Sequence, residues 1–445
     1  MVRRARHHGV HLRSFVDYQG LVDLRPLVQS QTDQLAADPI YPTQLYVPQR
    51  YQFLDNGPDS RVCDDLLGQV IDWLSTDDAR FVMVLGDFGR GKTFVLREVA
   101  RRIAETTPHL IPMLIELRGL DKAHSVHGLV AAHLANNGEG LIDLKAFDYM
   151  LREGRIVLLF DGFDELVTRL TYDRAAEHLD TLLEAVQDRA KIIVTSRTQH
   201  FKSDTQVLTA LGERVGALPD RWLINVEDFT PHQIREYLVK RYGGDQPKAD
   251  TRLSMIQKIQ DLLGLSQNPR MLSFIADLDE ARLRAAADAR HTISAAGLYR
   301  EILESWLSYE ANRATGGPGA AVALGLDDLW QAVTTLALRL WEADEPHLRL
   351  AQLTEVAQAL SGLAESRLSP DQTAYAMGRG SLLVRTEEGL FGFIHGSVAE
   401  WLVANTIAEQ LNSGTPAPPQ LQQRTLSKLT IEFLCDLADT GACQA

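Results

Sequence analysis

The stretch Gly86-Asp87-Phe88-Gly89-Arg90-Gly91-Lys92-Thr93 constrains this chain more than any other. It follows an apolar run, Phe81-Val82-Met83-Val84-Leu85, and leads into a helix-patterned segment, Phe94 to Ile103. Strand, glycine-rich turn and helix is the setting in which G-x-x-x-x-G-K-[ST] cradles phosphate. Glycines let successive backbone N–H groups curl around an anion through φ values that side chains resist. The helix beginning near Gly91 points unsatisfied N–H groups and a positive dipole end at the same place. The pattern assigns Lys92 to the β- and γ-phosphates and the Thr93 hydroxyl to Mg²⁺, with Gly86, Asp87, Phe88, Gly89, Arg90 and Gly91 as the cradle. Average residue usage produces such a match by accident in about 1–2% of chains this long, and the strand–helix setting lowers that further. Nucleotide binding is the expectation around which the rest is read.

At 445 residues the chain has room for two to four domains. A formal charge of −14 opposes general affinity for nucleic acid or an anionic membrane. Arg3, Arg4, Arg6 and Arg13 make a short basic beginning without the apolar region of a secretory signal. The apolar runs are all far shorter than a membrane span. Cys63, Cys435 and Cys443 have neither zinc-site nor disulfide-framework spacing, which suits a reducing cytoplasm.

Residues 1–60 read as an extension punctuated by Pro39, Pro42, Pro48 and Pro58 and packed on the adjoining domain. Across 61–225, apolar runs at Phe81–Leu85, Ile111–Leu117, Ile156–Phe160 and Ile192–Val194 alternate with helical patterns. That alternation predicts an α/β P-loop NTPase core, a parallel sheet flanked by helices. Residues 226–313 are patterned as an all-α helical domain, closed by the breaker-rich linker Ala314 to Gly319. Within 325–411, a hairpin pattern, Ser381–Arg385 and Leu390–Ile394, precedes a helix at Ser397–Gln410, which predicts a winged-helix-like domain. Residues 420–445 start a further helical region, and the chain's end just beyond an apolar helix favours truncation of a longer protein over a chain that acts with separate partners.

Asp161-Gly162-Phe163-Asp164-Glu165 comes directly after the apolar run Ile156–Phe160. Ligands of open parallel sheets gather at the carboxyl ends of the strands, so Asp161 is placed to hold Mg²⁺ through water. Asp164 and Glu165 come closely enough behind to polarise an attacking water; an acidic turn capping a helix is the plainer alternative. Arg197, in Thr195-Ser196-Arg197 after Ile192–Val194, could stabilise charge on a transferring phosphoryl group. A local ion pair would explain the same arginine. Asn268-Pro269 taken alone is a common turn starter, and His395 alone would more often be a core or surface histidine.

Together these residues resemble the NACHT branch of the STAND signal-transduction NTPases, over roughly 80 to 410. The resemblance rests on Gly86–Thr93, Asp161-Gly162-x-Asp164-Glu165, Thr195-Ser196-Arg197, Asn268-Pro269 and Phe393-x-His395. It implies that Pro269 contacts the adenine side and that His395 contacts the β-phosphate of ADP. It implies a switch, closed with ADP and open and self-associating with ATP, that hydrolyses ATP slowly and serves antiviral defence or signalling. Such proteins also carry an effector and a repeat-built sensor, neither of which this sequence shows, and Arg270 is an oddly polar successor to Pro269. Two other functions compete. One is a DNA-reading winged-helix regulator, against which stand the acidic charge and the absence of Lys or Arg from Ser397–Gln410. The other is a high-turnover kinase or motor, for which no second substrate site is visible.

Overall fold

The computed structural model describes residues 24–54, 61–117, 125–136, 144–164, 172–197, 215, 217–218, 220–259, 261–287, 295–315, 325–343, 347–349, 352, 355, 383–385, 391–415, 418–423 and 425–438. They fall into two compact units. The first takes in residues up to Leu85, Lys92–Ser196 and the stretch ending at Val226; the second takes in Gly86–Gly91, Arg197 and the chain from Glu227 onward.

The first unit is built on one sheet of seven strands: β1 Tyr51–Phe53, β2 Val62–Cys63, β3 Phe81–Leu85, β4 Ile111–Glu116, β5 Ile156–Asp161, β6 Lys191–Ser196 and β7 Arg221–Val226. Their order is β2-β1-β7-β3-β6-β5-β4. The run from β7 to β4 is parallel throughout, and β1 lies antiparallel to both β7 and β2. Strands β3 and β6 are buried along their whole length, and β5 as far as Phe160. A strand covered on both faces reads as a continuous apolar run, which is why these were visible in the sequence.

Three strands were not. β1 and β2 have three and two residues, too few to show a period, and β7 mixes polar Arg221 and Asn225 with apolar neighbours. Aromatic packing secures this end of the sheet: Trp222 stacks on Trp73 with ring centroids 5.3 Å apart and planes 10° from parallel. Phe53 tilts against both, at 5.2 and 6.0 Å. The sheet therefore begins inside residues 1–60, the stretch read as an extension.

The opposite edge is closed by a side chain. The Gln31 amide, on the helix Arg25–Ala36, donates from Nε2 to the Pro112 carbonyl at 3.1 Å and accepts from the Leu114 N–H at 2.9 Å. Gln31 thus imitates a strand neighbour and satisfies edge groups that would otherwise template association. Arg97 ties the same region down through Asp38 and Glu116, both at 2.7 Å, with Tyr41 against its guanidinium at 4.9 Å.

The second unit is helical from Pro231, with helices at Pro231–Arg241, Gln246–Lys258, Leu262–Ser266, Pro269–Asp277, Glu280–Ala287, Ala295–Thr315 and Leu326–Ala343. Starts are written locally: Thr230 and Gln233 form a capping box ahead of Pro231, and Asp245 caps the next helix through the Lys248 N–H. The helix from Ala295 runs to Thr315, two residues into the expected linker. β8 Leu383–Arg385 pairs antiparallel with β9 Phe391–Phe393, as the hairpin pattern predicted, and the helix Gly396–Asn412 comes next. Helices Pro419–Gln423 and Lys428–Leu437 come last. Tyr299, Trp306, Trp401 and Phe433 are buried; the Trp401 indole donates to the Ala296 carbonyl at 2.8 Å, the kind of partner a buried indole usually finds. Among the described residues no helix is long and apolar enough to cross a membrane.

Candidate nucleotide-binding site

Within the first unit, three hydroxyl and carboxylate groups meet at the carboxyl ends of β5 and β6. Thr93, the second residue of the helix Lys92–Thr106, donates its hydroxyl to Asp161 Oδ1 at 3.2 Å. The Thr195 hydroxyl donates to the same oxygen at 2.6 Å and accepts from the Gly162 N–H at 2.9 Å. Strand order explains this contact, because β6 lies between β3 and β5 and its register sets Thr195 beside Val84. Thr195 is a site residue that sequence reasoning passed over in favour of Arg197. Its signal was a polar residue at the end of an apolar strand. Asp164 is buried next to a fully buried Phe163, and Glu165 lies outside the described residues.

Mg²⁺ prefers oxygen ligands, needs few of them from protein and keeps several waters. The Thr93 hydroxyl and the Asp161 carboxylate, sharing a 3.2 Å contact, fit that requirement. Among the described residues no group of three or more His, Cys, Asp or Glu gathers to hold a metal.

Within the second unit, the loop Gly86–Gly91 is held through its carbonyls. The Phe88 carbonyl accepts from Asn268 Nδ2 at 2.8 Å, and the Gly89 carbonyl accepts from the Arg270 N–H at 3.2 Å. Gly89 has φ +78°, and a Cβ there would stand 2.4 Å from Asn268 Oδ1, so both the turn and the close approach require glycine. The Phe88 ring packs on Trp306 with centroids 4.9 Å apart, and the buried Arg197 guanidinium lies 5.1 Å from that ring. Arg90 pairs with Asp228 through two contacts of 3.0 and 3.1 Å, and with Asp87 at 3.2 Å. Burial pushes the Asp228 carboxyl above its ordinary range; Arg90 opposes that shift and Asp87 adds to it.

Pro269 is the first residue of the helix Pro269–Asp277, for which Asn268 is the N-cap. Arg270 ceases to be odd here, since its guanidinium lies 3.7 Å from the Tyr309 ring centroid, a cation–π contact. His395 is the N-cap of Gly396–Asn412. Tyr299 donates to Ser397 Oγ at 2.9 Å, and Ser397 Oγ lies 2.7 Å from His395 Nδ1. Nδ1 also accepts from the Ser397 N–H at 3.4 Å, an arrangement that assigns the ring proton to Nε2. The ring lies so close to Gly264 that a Cβ there would be 2.5 Å from Nε2. Burial lowers the His395 pKa, partly offset by Asp261 and Glu400. Among its described contacts none is with Gly86–Gly91.

The phosphate loop, the Asp161 strand end and the Thr195–Arg197 strand end are the parts that a family profile for the NACHT domain spans, matching residues 80–245. Residues 80–245 are the part of the chain that is similar to NACHT domains. The chain is also 24% identical over 361 residues to an uncharacterized WD repeat-containing protein of Nostoc sp., covering 77% of this chain and 22% of that protein. It is 28% identical over 203 residues to human nucleotide-binding oligomerization domain-containing protein 2, covering 43% of this chain and 19% of that protein. This chain therefore spans well under a third of either relative's length. Among solved structures, a Walker-type ATPase of Pyrococcus abyssi gives a TM-score of 0.38 at 14% identity, covering 76% of this chain and 94% of that one. A STAND protein with a tetratricopeptide repeat sensor from Pyrococcus horikoshii gives 0.28 at 11% identity, covering 84% and 48%. The matched residues include Gly86–Thr93, Asp161–Asp164, Thr195–Arg197 and Asp228; Asn268, Pro269 and His395 lie beyond them.

Proposed function

We propose that the chain is an adenine-nucleotide-dependent signalling switch with slow ATPase activity. The observation that carries the reading is the Thr93–Asp161 contact, which joins the residue after the loop lysine to the acidic end of β5. In this reading Lys92 binds the β- and γ-phosphates, while Thr93 and Asp161 hold Mg²⁺. Asp164 and Glu165 orient the attacking water, and Arg197 stabilises charge on the γ-phosphate. Bound Mg²⁺ would supply neutralisation of charge on the phosphate oxygens. Pro269 faces the adenine side, and His395, protonated on Nε2, donates to the β-phosphate of ADP.

The nucleotide then acts through differential affinity. ADP favours a closed arrangement of the NACHT domain, the helical segment 226–313 and a winged-helix-like segment 325–411. ATP favours an open, self-associating one, and each shifts the balance only by its preference for one form. The setting is antiviral defence or another signalling pathway, with a trigger supplied from outside these residues. Calorimetry of ADP and ATP on wild-type and Lys92→Ala protein tests the loop assignment. Loss of a charge-assisted phosphate contact should weaken affinity by about tenfold or more; unchanged affinity overturns the assignment. Light scattering with ADP and with ATP tests the switch, and identical mass in both contradicts it.

A further inference from the structure

A loop that cradles an anion turns its N–H groups inward, and its carbonyls must then find partners on the outer side. A carbonyl left buried without a partner carries a desolvation cost, and one rotated inward sets a negative dipole against phosphate. In this chain two consecutive loop carbonyls, Phe88 and Gly89, are engaged by Asn268 Nδ2 and by the Arg270 N–H. Both donors belong to one turn, 180 residues along the chain from Phe88. The other end of the Asn268 amide is also committed: Oδ1 accepts from the Arg270 N–H at 3.0 Å and the Met271 N–H at 3.2 Å. Asn268 is 6% exposed, so water is a poor substitute at its amide.

We propose that Asn268 is a positioning residue for the phosphate loop, holding the Phe88–Gly89 segment in its anion-cradling shape while capping the helix Pro269–Asp277. The inference rests on the nucleotide-binding reading and adds to it a residue outside the part similar to NACHT domains. The residue type supports it. Asp, Ser and Thr cap helices as well as Asn does or nearly so, but Asp and Asn differ in one respect: only the amide carries a donor. A cap alone has no use for that donor, whereas the Phe88 carbonyl accepts from it. Gly89 completes the fit, since only a residue without Cβ lets the amide come this close.

Two variants separate capping from positioning. Asn268→Asp keeps the cap acceptor but sets a carboxylate oxygen against the Phe88 carbonyl; Asn268→Ser keeps a cap and does not reach that carbonyl. Asn268→Ala removes both functions. Calorimetry with ADP and with inorganic pyrophosphate, together with melting curves without ligand, reads the outcome. Positioning predicts that the Asp and Ser variants lose about tenfold or more in affinity for both probes, while melting above the Ala variant. If the Asp variant does not fold, the Ser variant carries the same comparison. Asp and Ser variants that bind ADP and pyrophosphate as wild type does reduce Asn268 to a cap and overturn the inference. Wild-type protein that binds neither probe would instead overturn the nucleotide reading itself.

Discussion

The Thr195 hydroxyl donates to Asp161 Oδ1 at 2.6 Å, shorter than the 3.2 Å contact from Thr93 to the same oxygen. Because Thr195 also accepts from the Gly162 N–H, its hydroxyl is directed from both sides and in turn directs the carboxylate. Sheet order makes this possible, with β6 set between the strand before the loop and the strand that ends in Asp161.

Thr195→Val replaces the hydroxyl by a methyl group at nearly constant volume, so the Gly162 N–H and Asp161 Oδ1 each lose a partner. We expect the Mg²⁺-dependent part of nucleotide affinity to fall by about tenfold, the equivalent of one hydrogen bond to a charged group. Binding in EDTA should change less. Thr195→Ser should restore both values. Equal losses with and without Mg²⁺ would assign Thr195 to packing alone.

Neutralising Asp164 and Glu165 together should leave ATP bound but uncleaved, since a water-orienting carboxylate acts mainly in the transition state. The expected loss in single-turnover hydrolysis is about a hundredfold or more, with ATP affinity within about threefold of wild type. Asp161→Ala should show the reverse emphasis, weakening Mg²⁺-dependent binding. A double variant that hydrolyses ATP at the wild-type rate refutes the assignment.

Folding stability should depend on pH through His395. Burial lowers its pKa below the ordinary 6.5, so the unfolded chain takes up a proton at a pH where the folded one does not. The contribution is therefore fully present above 6.5 and is lost as pH falls through 6.5 toward the lowered folded value. Protonation at Nδ1 would also end its acceptance from the Ser397 N–H. The melting temperature should drop between about pH 7 and pH 5 more steeply in wild type than in His395→Asn, which keeps a capping acceptor without titrating. Parallel slopes would remove His395 as the source.

His395→Ala separates the cap from the proposed phosphate contact. Loss of the Nε2 donor should raise the ADP off-rate by about tenfold to a hundredfold and promote self-association with ATP. A variant that melts lower yet releases ADP at the wild-type rate would leave His395 with its capping role only.

Local pattern was enough for much of this chain. The loop Gly86–Thr93, the buried parallel strands β3, β4, β5 and β6, and the helix begun by Thr230-Pro231 are all legible, whereas Asn268-Pro269, read as a turn starter, opens a helix. Each is specified by neighbours in sequence: a continuous apolar run for a strand covered on both faces, a capping side chain and proline for a helix start. What the sequence by itself did not determine depends on partners far along the chain. β1 and β2 exist because β7 offers them an edge, not because of any period of their own. Thr195 matters because sheet order brings it to Asp161, 34 residues away, and Asn268 because its turn meets Phe88. Such hydrogen bonds leave no trace in hydrophobic periodicity, since a polar residue at a strand end or helix cap looks the same whether or not a second partner is waiting. Only the folded chain supplies that partner, and with it the reason why Asn268 is an amide and Gly89 has no side chain.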